Sequence, residues 1–265
     1  MGKPIGVFDS GIGGLTVVRE LMRYLPHESI VYFGDTARVP YGGKSAEIIQ
    51  KFADQIVRFL ISKDVELIVI ACNTASAIAL DWLKNQYPIP IVGVIKAGAK
   101  MAVKSTSNNR VGIIGTRATI RSRAYITAIN KLHPGIKVYS KSCPLLVPLV
   151  EESSESTVVQ LILTQYLTDF KKKNIDTLIL GCTHYPLIKN NIQTVIGEDV
   201  KLIDSASAVA YEVRSILKRS LTKSAQTAKE KPQYLFYFSD IPQGFKQLSK
   251  RFLGSPIPYI KITLE

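Results

Sequence analysis

Short apolar runs alternate along the chain with longer segments of helical periodicity. The runs are rich in β-branched residues and lie at 5–8, 30–33, 67–70, 91–94, 111–114, 138–139, 178–180 and 202–203. Segments such as 45–62 and 156–173 repeat their apolar positions with the period of an amphipathic helix. Continuous apolar strands separated by helices are typical of parallel sheets that are covered on both faces. The pattern therefore predicts an α/β fold with mostly parallel, open sheets flanked by helices.

The two halves of the sequence also resemble each other. In each half an apolar strand ends in a cysteine that polar residues follow, at Cys72 and at Cys182, 110 residues apart. The next strand ends 23 residues after the cysteine in both halves. An earlier strand leads into a polar turn at Ser10 and at Thr116, 106 residues apart. Because such matching offsets rarely arise by chance, we predict two pseudo-symmetric α/β domains.

These domains have predicted boundaries. The first contains residues 1–95 and is completed by the tail, residues 207–265, whereas the second contains residues 96–206. The active site is predicted in the cleft between them. The tail consists of a helical segment, a polar Lys-rich link and two apolar runs, at 206–220, 221–233, 234–238 and 257–262. The two runs could add strands to the first half, and the link is a candidate for a mobile surface loop.

Charge and composition narrow the class of protein. The 265 residues include 34 Lys and Arg against 21 Asp and Glu, which gives a formal charge of +13. This excess is either a solvated basic surface or an attraction for nucleic acid or anionic metabolites. Basic residues gather near the link, at Lys218, Arg219, Lys223, Lys229 and Lys231. They leave open a different class of function, a basic binding protein.

Localisation follows from what the sequence lacks. No apolar run approaches the roughly 20 residues that span a bilayer. The first residues also lack the charged and then apolar segments of a signal peptide. The three cysteines are too few and odd in number for a disulfide framework. We therefore expect a cytoplasmic protein without membrane association, with reduced thiols.

Candidate chemistry gathers where ligands bind open parallel sheets, beyond the carboxyl ends of the strands. If the halves face each other, Cys72 and Cys182 meet across one cleft. Each precedes a predicted helix, whose N–H groups and dipole lower a thiol pKa and bind a carboxylate. Two thiols on opposite sides of one carbon could remove a proton from one face and return it to the other. The result would be inversion of a stereocentre.

Other roles for these residues stay open. A redox dithiol usually has a C-x-x-C spacing, and a zinc site from Cys72, Cys182 and His184 lacks a clear fourth ligand. Two buried structural cysteines without chemistry are a further alternative, and Cys143, which lies outside the repeat, is interpreted as structural. The adjacency of His184 to Cys182 makes an acid–base role a candidate.

The glycine-rich segment 9–14 resembles a nucleotide loop, and Asp35 follows the next strand where a ribose-binding acid would lie. However, Thr16 replaces the third glycine of that motif, there is no Walker lysine, and Asp9 would repel a pyrophosphate. The segment is better suited to an ammonium group or a thiol partner. The turn at 34–43 could close the cleft.

At these residues the sequence resembles the glutamate racemases, the cofactor-independent amino-acid racemases of bacteria. The matching segments are 8–14, 34–42, 71–76, 148–151 and 181–186. The aspartate and hydantoin racemases share the paired cysteines, but they lack the Asp-Ser-Gly start and usually differ after the second cysteine. Cys-Thr-His at 182–184 therefore favours glutamate, with a related acid such as aspartate as the alternative.

The resemblance implies roles for individual residues. Cys72 deprotonates D-glutamate and Cys182 deprotonates L-glutamate; Asp9 assists Cys72, while His184 and Glu151 assist Cys182. Asp9 and His184 are also expected among the substrate-binding residues. The others implied to hold the substrate are Ser10, Tyr41, Gly42, Asn73, Thr74, Thr116, Thr119 and Thr183.

The resemblance also implies the wider context. Neither pyridoxal phosphate nor a metal is expected, and the partners are L- and D-glutamate and a second copy of the chain in a homodimer. D-glutamate would supply peptidoglycan synthesis. Some racemases of this family bind DNA gyrase, so gyrase or nucleic-acid binding stays open, although nothing in the sequence supports it.

Overall fold

The computed structural model describes residues 2–221 and 231–264; for residues 218–221 it describes the backbone alone. Its strands are β1 (Ile5–Asp9), β2 (Ile30–Gly34), β3 (Leu67–Ile70), β4 (Ile91–Gly93), β5 (Arg110–Gly115), β6 (Lys137–Ser142), β7 (Thr177–Gly181), β8 (Lys201–Asp204), β9 (Tyr234–Phe238) and β10 (Ile260–Lys261). Its helices are α1 (Leu15–Tyr24), α2 (Ala46–Ser62), α3 (Asn73–Gln86), α4 (Val94–Ser105), α5 (Arg117–Arg121), α6 (Ala124–Leu132), α7 (Leu146–Glu151), α8 (Ser156–Lys172), α9 (Lys189–Ile196), α10 (Ser205–Leu221) and α11 (Phe245–Leu253). Short 3₁₀ turns lie at Thr36–Arg38, Tyr41–Gly43 and Tyr185–Ile188.

The strands form two parallel sheets that repeat one topology. Within the described residues the first sheet has the order β10-β9-β2-β1-β3-β4 and the second the order β6-β5-β7-β8. The segment β2-β1-β3-β4 thus has its counterpart in β6-β5-β7-β8, strand for strand. This confirms the predicted fold class and the internal repeat. We call the elements around the first sheet, including β9, α11 and β10, the first half, and those around the second sheet the second half.

Helix α2 shows why the pattern gives these elements. The Ser45 side chain accepts a hydrogen bond from the Ile48 N–H and so caps the first turn. Ile49, Ala53 and Ile56 follow at helical spacing and are fully buried. This face packs against α3, β1 and β2 and covers one side of the first sheet. Each buried aliphatic side chain contributes roughly 1.5–3 kcal/mol relative to exposure.

The other side of the first sheet shares its core with the second half. One buried cluster contains Ile5 and Val7 of β1 together with Leu178 and Leu180 of β7. Helix α10 supports this arrangement because it packs against both α1 and α4. The continuity of this core holds the carboxyl ends of the two sheets in a common region.

The structure differs from the predicted elements at a few positions. Gly93 caps α4, so Val94 begins that helix rather than ending β4. The run at 257–262 pairs only over Ile260–Lys261, because Pro256 and Pro258 have no N–H to donate to a ladder.

Most of the predicted link at 221–233 lies outside the described residues, together with Lys223 and Lys229. The side chains of Lys218 and Arg219 lie outside them too. No helix in the described parts of the chain combines the length and hydropathy that a membrane span requires.

Candidate active site

The two repeated cysteines occupy equivalent positions, directly beyond β3 and β7. Cys72 and Cys182 are each 6% exposed. They are close enough that charge on Cys182 contributes to raising the pKa of Cys72. The structure therefore brings the two predicted thiols to one place at the boundary between the halves.

The Cys72 thiol lies among oxygen and amide groups. Its Sγ is 3.4 Å from the Ser10 Oγ, to which it donates, and it accepts from the Ala75 N–H at 3.4 Å as the cap of α3. Burial, followed by the charge of Asp9, raises the pKa of Cys72 to about 12, against the opposing contacts with Ser10 and Ala75. The expectation that the helix N-terminus lowers this pKa is therefore wrong, because desolvation outweighs the dipole.

Asp9 is the fully buried carboxyl group on the Cys72 side. Its Oδ2 accepts from the Gly11 N–H at 3.0 Å, whereas Oδ1 has no hydrogen-bond partner among the described residues. Burial raises the pKa of Asp9, against the opposing charge of His184 and nearby backbone N–H groups. A buried oxygen without a partner costs about 1–3 kcal/mol. Oδ1 is therefore suited to accept a proton or bind a donor such as an ammonium group.

The Cys182 side has an imidazole and a second carboxylate. The Cys182 Sγ lies 3.8 Å from the His184 Nδ1, and the His184 Nε2 lies 2.8 Å from the Glu151 Oε1. Burial lowers the pKa of His184, but hydrogen bonds to Cys182 and Glu151 outweigh it and raise this pKa to about 10. The imidazole is thus protonated at neutral pH, and a cation beside a thiol stabilises the thiolate.

Hydroxyl groups gather next to the thiols, where the halves meet. The Thr74 Oγ1 lies 2.8 Å from that of Thr116 and 3.2 Å from that of Thr119, and the last two are 3.0 Å apart. Gly42 lies against them, since a Cβ at this position would come within 3.1 Å of the Thr116 Cβ. Thr74 is the second residue of α3, and Thr116 caps α5. Hydroxyl groups at helix N-termini suit a carboxylate.

Two other predicted substrate-binding residues bond across the boundary between the halves. The Asn73 Oδ1 accepts from the Tyr125 hydroxyl at 2.7 Å, and its Nδ2 donates to the Ser205 Oγ at 3.3 Å. The carbonyl oxygen of Thr183 accepts from the Thr16 Oγ1 at 3.0 Å.

Tyr41 belongs to a network inside the first half. Its hydroxyl donates to the buried Asp35, which also accepts from the Arg38 Nε and, at 2.9 Å, from the Ser239 Oγ. Asp35 thus organises the turn that carries Tyr41 and Gly42. Asp35, which the sequence also suggested as a ribose-binding acid, thus bonds to residues of its own turn and to Ser239.

Sequence reasoning missed a contribution from the tail. The Phe252 ring of α11 meets the His184 ring edge-on, with centroids 5.1 Å apart. The neighbouring Arg251 donates to the Val150 carbonyl at 2.8 Å and so holds the helix that carries Glu151. The tail carries little family signal in its sequence, and no local pattern marks either residue.

Cys143, interpreted as structural, is fully buried. Its carbonyl oxygen accepts from the Tyr185 hydroxyl at 3.1 Å. All three cysteines are free thiols. The described residues contain no group of three or more His, Cys, Asp and Glu side chains arranged to hold a metal ion.

Residues 5–213 match the family described as Asp/Glu/Hydantoin racemase. The chain belongs to this family. A glutamate racemase of Geobacter metallireducens is 47% identical over 256 residues, which cover 96% of this chain and 94% of that protein.

Solved structures agree in fold over nearly the whole chain. The glutamate racemase isoform RacE1 from Bacillus anthracis superimposes with a TM-score of 0.93 at 41% identity, covering 99% of this chain and 98% of that one. The glutamate racemase of Francisella tularensis in complex with D-glutamate has a TM-score of 0.91 at 45% identity, covering 99% and 97%.

Proposed function

We propose that this protein interconverts L- and D-glutamate without an added cofactor, using Cys72 and Cys182 as two acid–base groups on opposite faces of the α-carbon. One observation carries the proposal: two buried thiols follow equivalent strands of the two halves, with His184 3.8 Å from Cys182 and the charge of Asp9 acting on Cys72. The glutamate racemases that cover nearly the whole chain support the choice of substrate.

In the direction from L- to D-glutamate, the Cys182 thiolate takes the α-proton. The protonated His184 beside it stabilises that thiolate, and Glu151 holds the imidazole from its other nitrogen. The Cys72 thiol then donates its proton to the opposite face of the carbanion. Cys182 ends as a thiol and Cys72 as a thiolate, which is the pair that the reverse reaction needs. Between turnovers a protonated Asp9 returns a proton to the Cys72 thiolate and regains one from solvent, while the Cys182 thiol releases its proton to solvent, which restores the starting pair.

The carbanion requires stabilisation, because the α-proton of an amino acid is a poor acid. We infer that the hydroxyl groups of Thr74, Thr116 and Thr119 and the N-termini of α3 and α5 hold a carboxylate into which the charge spreads. The unpartnered Oδ1 of Asp9 would accept from the substrate ammonium group. The other proposed contacts are with Ser10, Tyr41, Gly42, Asn73, Thr183 and His184.

We further propose that the chain divides into domains at 1–95 with 207–265, and 96–206, which separate to admit glutamate. Both thiols are 6% exposed, and hydrogen bonds such as that between Thr74 and Thr116 join the two halves. Opening must break these bonds, and closing excludes water from the carbanion. Scattering with and without glutamate tests this; an identical radius of gyration would restrict the motion to loops.

The remaining proposals rest on the family resemblance. They are a homodimer, a cytoplasmic location in which the three free thiols stay reduced, and a supply of D-glutamate to peptidoglycan synthesis. Sedimentation of the purified protein at several concentrations tests the dimer, and a single monomeric species throughout would contradict it.

Circular dichroism of the amino acid tests the activity directly. Purified protein without added cofactor is mixed with L- or D-glutamate, and parallel reactions contain L- or D-aspartate. We expect both glutamate signals to decay to zero at rates well above those for aspartate. Faster decay with aspartate would favour the related-acid alternative. No decay with any of these acids would favour a binding protein on this fold, for which nucleic-acid binding with a steep salt dependence is the next test.

A further inference from the structure

Thr16 is a fully buried polar residue in the first turn of α1, outside the set of groups assigned above. Its hydroxyl oxygen lies 2.9 Å from the Gly13 carbonyl oxygen and 3.0 Å from that of Thr183. The hydroxyl has a single proton, which the two carbonyl oxygens share. The contact with Gly13 is the local bond that a threonine makes to the residue three positions before it. The contact with Thr183 is not local, because it joins the first half to the peptide between Cys182 and His184.

Gly13 reinforces this contact from the same loop. A Cβ at position 13 would come within 2.4 Å of the His184 Cε1 and the Thr183 Oγ1, and within 2.5 Å of the His184 Nδ1. The backbone of the loop thus lies against the edge of the imidazole that faces Cys182. Only a residue without a side chain permits this approach.

We propose that Thr16 is a positioning residue for the couple formed by Cys182 and His184, acting through its hydrogen bond to the Thr183 carbonyl. The inference rests on the proposed function, since it assigns the glycine-rich loop and the first turn of α1 that follows it to the thiol of the second half. Asp9, at the start of the same loop, serves Cys72. One loop therefore aligns groups for both thiols.

The separation within the couple makes this positioning consequential. The Cys182 Sγ and the His184 Nδ1 are 3.8 Å apart, near the outer limit for a hydrogen bond to sulfur. A displacement of the intervening peptide by a fraction of an ångström would break their contact. The Thr16 bond spans the two halves, so the couple is aligned only when they are closed.

Two substitutions separate the hydroxyl from the shape of the side chain. Thr16→Val keeps the shape and removes the hydrogen bond, whereas Thr16→Ser keeps the hydroxyl and removes a methyl group. We expect Thr16→Val to lower kcat/KM for glutamate by roughly 10- to 100-fold, the order that a misplacement of catalytic groups produces. Thr16→Ser should remain within about threefold of the wild type. Equal losses in the two variants would overturn the proposal.

Isotope effects locate the defect on one thiol. The enantiomers have equal free energy, so kcat/KM must fall equally in both directions. If the Cys182 step is slowed, the primary isotope effect rises for α-deuterated L-glutamate and falls for α-deuterated D-glutamate. A general structural defect would leave the two isotope effects as they are in the wild type, and that result would contradict the proposal.

A measurement without turnover keeps the inference distinct from the proposed function. The ring resonances of His184 are followed by NMR in labelled wild type and both variants, with His27 and His133 as internal controls. Thr16→Val should shift the His184 signals alone, and Thr16→Ser should restore them. If the wild type fails to racemise glutamate, the proposed function fails, yet these spectra still decide the role of Thr16. Identical His184 signals in the wild type and Thr16→Val would overturn it.

Gly13→Ala supplies a second perturbation if Thr16→Val does not fold. Its Cβ would push against the imidazole edge from the loop. The same His184 resonances should shift, and the isotope effects should change in the same directions. An unperturbed imidazole in Gly13→Ala would contradict the assignment of the loop to the second thiol.

Discussion

The surroundings of Cys72 and Cys182 differ, although the two residues follow equivalent strands of a repeated topology. Cys72 has Ser10 and the Ala75 N–H as neighbours, and Asp9 adds negative charge. Cys182 lies beside the Nδ1 of His184, and the Nε2 of the same imidazole is hydrogen-bonded to Glu151. The repeat therefore places two thiols symmetrically, whereas the groups that surround them differ.

The different surroundings of the two thiols favour one direction of proton transfer. A pKa of about 12 keeps Cys72 protonated at neutral pH, and a His184 pKa of about 10 keeps the imidazole charged beside Cys182. A proton donor on one face and a charged imidazole beside the thiol on the other face suit the deprotonation of L-glutamate. The reverse reaction needs Cys72 as a thiolate, so substrate binding must lower the pKa of this thiol.

Removing either thiol should have the largest effect. Cys72→Ala and Cys182→Ala each delete one of the two proton carriers, so racemisation measured by circular dichroism should fall by about 10³-fold or more. Cys143→Ala is the matched control, a buried cysteine outside the pair, and should keep activity within about threefold. Wild-type activity in either paired variant would contradict the two-thiol mechanism.

The partners of the thiols should show mirror-image effects. Asp9→Asn and His184→Gln each remove an acid–base group but keep similar shape, so each should lower kcat/KM by about 10²-fold. Asp9→Asn should raise the isotope effect with α-deuterated D-glutamate, and His184→Gln the one with L-glutamate. If both variants raised the same isotope effect, the assignment of one partner to each thiol would be wrong.

Glu151→Gln tests the outer member of the Cys182 side. The carboxylate is one cause of the raised pKa of His184, so its loss should lower that pKa from about 10. The alkaline limb of the pH–rate profile should move to lower pH, and kcat/KM at pH 8 should fall by about tenfold. Glu152→Gln, a change at the exposed neighbouring residue, is the control. If the alkaline limb of Glu151→Gln stayed at its wild-type pH, Glu151 would have no effect on the protonation of His184, which would contradict its assigned role.

The raised pKa of His184 also makes the free energy of unfolding depend on pH. Because the folded-state pKa of His184 lies above its ordinary value of 6.5, its contribution is fully present below pH 6.5 and is lost as the pH rises through about 10. Denaturant unfolding across this pH range should therefore show a smaller pH-dependent loss in Glu151→Gln than in the wild type. The comparison requires equal m-values.

Tyr125→Phe should have the smallest effect. It removes the hydroxyl that donates to the Asn73 Oδ1 at 2.7 Å across the two halves. We expect the free energy of unfolding to fall by about 0.5–1.5 kcal/mol and KM to rise severalfold, with little change in kcat. Tyr211→Phe, at an exposed position, is the control for denaturant unfolding. A large loss of kcat would place Tyr125 closer to the chemistry than this account does.

Local pattern was sufficient to predict much of the framework. Apolar runs identified the strands that precede Cys72 and Cys182, and the matching offsets predicted two halves that resemble each other. Adjacency alone suggested His184. These features depend on neighbours in the sequence or on its periodicity, which the sequence displays directly.

Other parts depend on contacts that no local pattern marks. The pKa of Cys72 moved opposite to the predicted direction because burial and Asp9, 63 residues earlier in the chain, outweigh the helix N-terminus. Phe252 reaches His184 from the tail, and Thr16 reaches Thr183 across 167 positions. The last two contacts arise only when the two halves pack, whereas Asp9 comes near Cys72 because β1 and β3 pair within the first sheet.

Deuterium labelling early in the reaction tests the two-thiol account most directly. Wild-type protein in D₂O is given L- or D-glutamate, and both enantiomers are analysed before a tenth of the substrate has reacted. A thiol carries a single proton and can return it to the face from which it came. The account therefore predicts deuterium at the α-carbon of the product and none in the recovered substrate, in both directions. A product that retains the α-proton of its substrate would show that one base serves both faces and would contradict the account.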